Sequence, residues 1–137
     1  VIFIIPLSTF HGIPATGGKA LNVANFEIHL TGVDGGSLGG TFEQAAERLR
    51  TIERLDLEPD GYFVWMIDGK QGWRVTGMLY DDGRSLQYAH LQGCCRQQDF
   101  HQLVQQIAPA EAVSRVTRLP EGRLQNLHDF QSQHWLE

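Results

Sequence analysis

Cysteine, lysine and long apolar runs are what this chain has least of. Its only cysteines are Cys94 and Cys95 in 137 residues, too few for a disulfide scaffold. The two are adjacent, and disulfide geometry wants Cα atoms ~5.5 Å apart, so a bridge between neighbours is a strained ring. Two free thiols suit a reducing compartment, and a cytoplasmic location is expected. Lysine occurs only at Lys19 and Lys70, and 11 basic residues against 16 acidic ones leave a net charge of −5. Nucleic acids and anionic membranes are held by clustered cations, so neither is an expected partner. The apolar opening, Val1 to Leu7, is interrupted by Pro6. It is far short of the ~20 residues of a membrane span, and no basic residues precede it as in a signal peptide. It reads as a buried strand. There is no internal repeat, low-complexity tract or charge block.

What is present is the profile of an ordinary globular chain, 42% hydrophobic, 20% charged and 9% aromatic. One core serves ~100–200 residues, so residues 1–137 are read as a single domain, with 110–137 as a tail that could dock on it. Phe26 to Thr31 alternate strictly, with Phe26, Ile28 and Leu30 on one side and Glu27, His29 and Thr31 on the other, as in a half-buried strand. The stretch from His11 to Val23 holds Gly12, Pro14, Gly17 and Gly18 and reads as a long loop. After a second glycine-rich loop, Thr41 and Gln44 have the spacing of a capping box. Phe42, Ala45, Ala46, Leu49 and Ile52 then form one apolar helical stripe, opposite Glu43, Glu47, Arg50 and Arg54.

Tyr62 to Ile67 is apolar on both parities, which predicts a strand buried on both faces. Trp73–Tyr80 and Ser85–Gln92 follow as strands joined at Asp82-Gly83, a strong hairpin signal. A two-residue turn there would pair Leu79 with Leu86, Gly77 with Tyr88, Val75 with His90 and Trp73 with Gln92. The glycine would then lie under a tyrosine ring, and Met78, Ala89 and Leu91 would share the other face. A one-residue slip reverses every such assignment. Phe100, Leu103, Val104 and Ile107 mark a second amphipathic helix, stopped by Pro109. Val113–Leu119 suggests a short strand, and Pro120-Glu121 followed by Leu124, Leu127 and Trp135 suggests a last helix. The predicted fold class is α+β, an antiparallel sheet of about five strands with two amphipathic helices on one face, in the order strand-strand-helix-strand-strand-strand-helix, plus the tail.

Each candidate for chemistry has a plainer alternative. The helix–strand–strand–strand–helix order is that of double-stranded-RNA-binding modules, which grip phosphates with a basic cluster on the last helix. Here Gln97 to Gln106 contains no lysine or arginine, and topology alone does not carry function. Gly39, Gly40 and Thr41 close a glycine-rich loop at a helix start, where anions bind. The phosphate-loop lysine is missing, so a flexible connector ending in a cap competes with that reading. His90, Cys94 and Cys95 are the only cluster of soft ligands. A zinc site usually takes four, and no second cysteine pair exists, so no metal or other cofactor is expected. A thiol nucleophile would need a lowered pKa, and buried inert thiols are the alternative. Asp60, Asp81 and Asp82 are explained by turns. Tyr62, Phe63, Trp65 and Trp73 fit a core.

The sequence therefore points to a non-catalytic binding module. Its expected partner is itself, as a homodimer, or another protein, met by the apolar face of Met78, Ala89 and Leu91. The competing expectation is a small-molecule site, enzymatic or not, at the end of the sheet near Trp73, His90 and Cys94.

Overall fold

A computed structural model describes residues 22–69, 72–108 and 113–136. The expected strand over 1–7, the loop that follows it up to residue 21, and the stop at Pro109 lie outside the described residues. Within them the elements run β1 (Val23–Gly32), α1 (Phe42–Leu49), β2 (Leu55–Leu57), β3 (Tyr62–Met66), β4 (Arg74–Asp81) and β5 (Leu86–Arg96). There follow α2 (Gln97–Ile107), β6 (Val113–Arg118), β7 (Arg123–Asn126), α3 (Leu127–Gln133) and a 3-10 turn over His134–Leu136. All seven strands form one antiparallel sheet in the order β2-β3-β4-β5-β1-β6-β7. The class is α+β as expected; β6 is the strand expected over Val113–Leu119 and α3 the expected last helix, starting later, while β2 and β7 are additional strands.

The helix starts are local chemistry. Thr41 Oγ1 accepts from the Gln44 amide and Gln44 Oε1 accepts from the Thr41 amide, a reciprocal capping box that satisfies two otherwise orphan donors. At α2, the Arg96 amide donates to the Asp99 carboxylate. At α3, Asn126 Oδ1 accepts from the Asp129 amide. Arg48 of α1 donates to the Gln106 and Ile107 carbonyls at the far end of α2, where a cation also meets the negative end of the helix dipole.

The core lies on one side of the sheet. Because directly opposed residues share a face, Phe63, Gly77, Leu91 and Ile28 form a row across β3, β4, β5 and β1. Over this face pack Ala45 and Leu49 of α1 and Phe100, Leu103, Val104 and Ile107 of α2, all buried. The C-terminal helix closes the same side, since Phe130 and Trp135 meet Phe100 and Phe26 in an aromatic cluster with centroids 5.2–6.1 Å apart.

Three features differ from the sequence reading. First, the β4–β5 pairing is not set by a two-residue turn. Asp82 and Ser85 close a wider turn, with Asp82 Oδ1 accepting from the Arg84 and Ser85 amides, and the register shifts at Tyr80/Asp81. Leu86 instead bonds to the glycine-rich loop, donating to Gly40 and accepting from Leu38. Leu79 therefore faces Ala89, Gly77 faces Leu91 and Met78 faces His90. The shift turns Ala89 and Leu91 into the core, both 0% exposed, and puts Tyr88 and His90 on the face with Met78. Gly77 does lie beneath an aromatic ring, but the ring belongs to Phe63. Second, β3 is sealed on one side only, with Phe63 and Trp65 buried, Tyr62 exposed and Val64 and Met66 half-buried. Third, residues 119–122 turn a β6–β7 hairpin instead of starting a helix, so Leu124 is an exposed strand residue. β2 and β7 are edge strands of 3 and 4 residues, too short to announce a period.

Candidate functional site

Trp73, His90 and Cys94 do not meet in one pocket. Trp73 is buried in the core, with the Arg96 guanidinium 5.7 Å from its ring centroid. Cys94 opposes Arg74 and Asn25 and is 2% exposed. Burial pushes its thiol up to about 11, and the neighbouring Cys95, fully enclosed, is shifted well upward for the same reason. Neither is poised as a thiolate nucleophile at neutral pH. His90 lies four residues from Cys94 on the same strand, ~13 Å along it. The Gly39–Gly40–Thr41 loop is spent on structure. Both glycines have positive φ, Gly40 accepts from Leu86, and Thr41 is engaged in its capping box.

The polar residues that do converge lie on the sheet face opposite the helices. Tyr62, Met78, His90, His29, Thr117 and Leu124 are successive partners across β3, β4, β5, β1, β6 and β7. They form one unbroken row on that face. Around its centre, His90 Nε2 and Glu27 Oε2 are 3.0 Å apart. The His29 and His90 rings meet edge to face at 5.3 Å, His29 tilts against Tyr88 at 5.0 Å, and Tyr88 stacks on Tyr80 at 4.5 Å and 16°. Partial burial and the neighbouring His90 lower the pKa of His29, against a smaller opposing pull from Glu27. At neutral pH His29 is therefore uncharged.

A carboxylate–imidazole pair such as Glu27–His90 could serve a general base, but acyl transfer also needs a nucleophile in reach. Among the described residues the only thiol on this face is the distant, protonated Cys94. No group of three or more His, Cys, Asp or Glu residues among those described is arranged to hold a metal ion. No described helix is long and apolar enough to cross a membrane.

Comparison with protein-family models, with curated proteins and with solved structures finds no match to this chain. Of the residues at the site, Glu27 and His29 are legible as a wet strand face from alternation alone. Tyr80 and Tyr88 are not, because their meeting depends on the shifted β4–β5 register. His90 is singled out by sequence, but in company that the fold does not provide.

Proposed function

We propose that this chain is a non-catalytic binding module that pairs with a second copy of itself, open sheet face to open sheet face. The observation that carries the reading is the unbroken row from Tyr62 to Leu124, which no described helix covers. Its composition suits an interface, because Tyr and Met are favoured in interface cores and lone charges are not. Glu27 Oε2 lies 3.0 Å from His90 Nε2 and His29 is neutral, so the carboxylate at the centre enters the seam hydrogen-bonded to its own chain rather than bare across a two-fold axis. Six strands at ~4.8 Å spacing, each contributing several residues at ~3.3 Å, offer on the order of 500 Å² before side-chain relief. With that relief the face approaches the ~800 Å² per partner of a standard interface. Edge-to-edge pairing is the weaker route, since β2 and β7 are short and short edges resist strand addition. Two free, buried thiols suit action in the cytoplasm.

Sedimentation equilibrium tests this. The expected species has twice the 15.4 kDa of the chain. Met78→Glu and Tyr88→Glu, each placing an unpaired carboxylate in the seam, should return monomers with unchanged circular dichroism. A wild-type chain still monomeric at millimolar concentration, where association is worth less than ~4 kcal/mol, refutes the reading. A dimer indifferent to both substitutions places the interface elsewhere.

A further inference from the structure

Away from the open face, a cavity of about 560 Å³ lies where the start of β1, the first turns of α2 and the C-terminal helix meet. Its volume falls within the ~300–1,000 Å³ of small-molecule sites. Arg96 lines it from the end of β5, Gln97, Gln98 and His101 from α2, Gln131 from α3, and Trp135 with Leu136 from the terminal turn. In a chain of net charge −5, the described residues on this lining include Arg96 and His101 and no carboxylate.

The arginine is held in place. Arg96 Nε and Nη2 donate to the two oxygens of Asp99 at 2.9 Å each, and Asp99 itself is 4% exposed. The guanidinium also rests over the Trp73 ring. These bonds leave Nη1 outside the Asp99 pair. A guanidinium fixed by stacking and by one bidentate partner loses little further freedom on binding a second oxyanion. Around it, Gln97 Nε2 donates to the Gln131 carbonyl, and His101 Nδ1 approaches Gln131 Oε1 at 3.3 Å. Trp135 is fixed too, its indole donating to the Cys95 carbonyl and its own carbonyl accepting from Asn22.

From this arrangement we infer a second binding site, independent of self-association, for a small organic monocarboxylate with an apolar body. The carboxylate would meet the free edge of Arg96, the glutamine amides would bond its polar substituents, and the body would lie against Trp135 and Leu136. The Arg96 charge is already offset by Asp99 in contact and drawn on by Asp68 farther off, so its remaining Nη1 edge suits a single negative charge better than two, which argues against a phosphate dianion.

Nitrogen–proton correlation spectra of the full chain, titrated with benzoate, benzamide or inorganic phosphate, test the inference. Benzoate should give saturable shifts at Gln97, Gln98, His101 and the Trp135 indole, with a Kd near ~1 mM for so small a ligand. Benzamide, the uncharged isostere, and phosphate should each bind at least ~10-fold more weakly. Removing Arg96 would strand the buried Asp99, so the variant of choice is Gln98→Glu, which adds a carboxylate to the lining from an exposed position. It should weaken benzoate by ~10-fold or more with the rest of the spectrum unmoved. Absence of saturation, equal binding of benzamide or phosphate, or indifference to Gln98→Glu overturns the proposal. Because Gln98 and the open-face residues lie on different elements, loss of this site leaves the sedimentation result untouched.

Discussion

Gly77→Ala adds one methyl group where the sheet has no room for it. Gly77 sits between Phe63 on β3 and Leu91 on β5, both 0% exposed. A Cβ at this position would lie 2.3 Å from Phe63 Cζ, 2.4 Å from Cε2 and 3.0 Å from Leu91 Cδ2. Carbon atoms rest at ~3.5–4.0 Å, so the ring must retreat by more than ~1 Å into a core packed like a crystal. Overpacking of that size sits at the upper end of the ~1–3 kcal/mol range. Restricting the unfolded chain returns ~0.4–1 kcal/mol, which leaves a net loss of about 2 kcal/mol. Urea unfolding followed by tryptophan fluorescence, at one fixed protein concentration, measures it. The cause is isolated by repeating the substitution in a Phe63→Leu background, where the ring is gone and the added methyl should cost less than ~1 kcal/mol. If Gly77→Ala is neutral within ~0.5 kcal/mol, or costs the same in both backgrounds, the Phe63 ring does not cover Gly77 and the β3–β4 register is wrong.

Three further outcomes are expected. Cys94 and Cys95 should resist a thiol reagent at neutral pH in the native state and react at once in denaturant, because burial raises both pKa values; rapid native labelling of either would contradict that burial. His29, depressed by burial and by His90 and facing Glu27, His90 and Tyr88, is neutral in both states above the ordinary histidine pKa of ~6.5. Below it the unfolded chain takes up the proton first, so stability should fall from that pH down to the folded pKa and then level off. His29→Gln should flatten this part of the stability–pH curve, and an unchanged curve would mean the ring is freely solvated. Thr41→Ala removes one arm of the capping box and should cost ~1 kcal/mol in chemical unfolding; a neutral result would show that the loop, not the cap, starts α1.

Local order was legible without the fold wherever a short-range rule governs it. The Thr41–Gln44 cap, the apolar stripe of α2, the alternation of β1 and the stripe of α1 as far as Leu49 all depend on residues within a few positions of one another and form as their spacing dictates, while Ile52 and Arg54 fall in the turn beyond α1. The α+β class follows from the order of those elements. Tertiary structure decided the pairing. Asp82-Gly83 predicts a tight hairpin, but Leu86 is claimed by Leu38 and Gly40 from a loop more than forty residues earlier. That long-range bonding widens the turn and shifts β5, and since side chains alternate with period two, it exchanges the faces of Ala89 and Leu91 with those of Tyr88 and His90. The same shift created the Glu27–His29–His90–Tyr88 constellation. β2 and β7 became strands only because a neighbour supplied hydrogen bonds to segments too short to carry a pattern. The Arg96 cavity likewise belongs to no single segment, because its walls come from the end of β5, α2, α3 and the terminal turn, whose meeting depends on Phe130 and Trp135 burying themselves against Phe100 and Phe26.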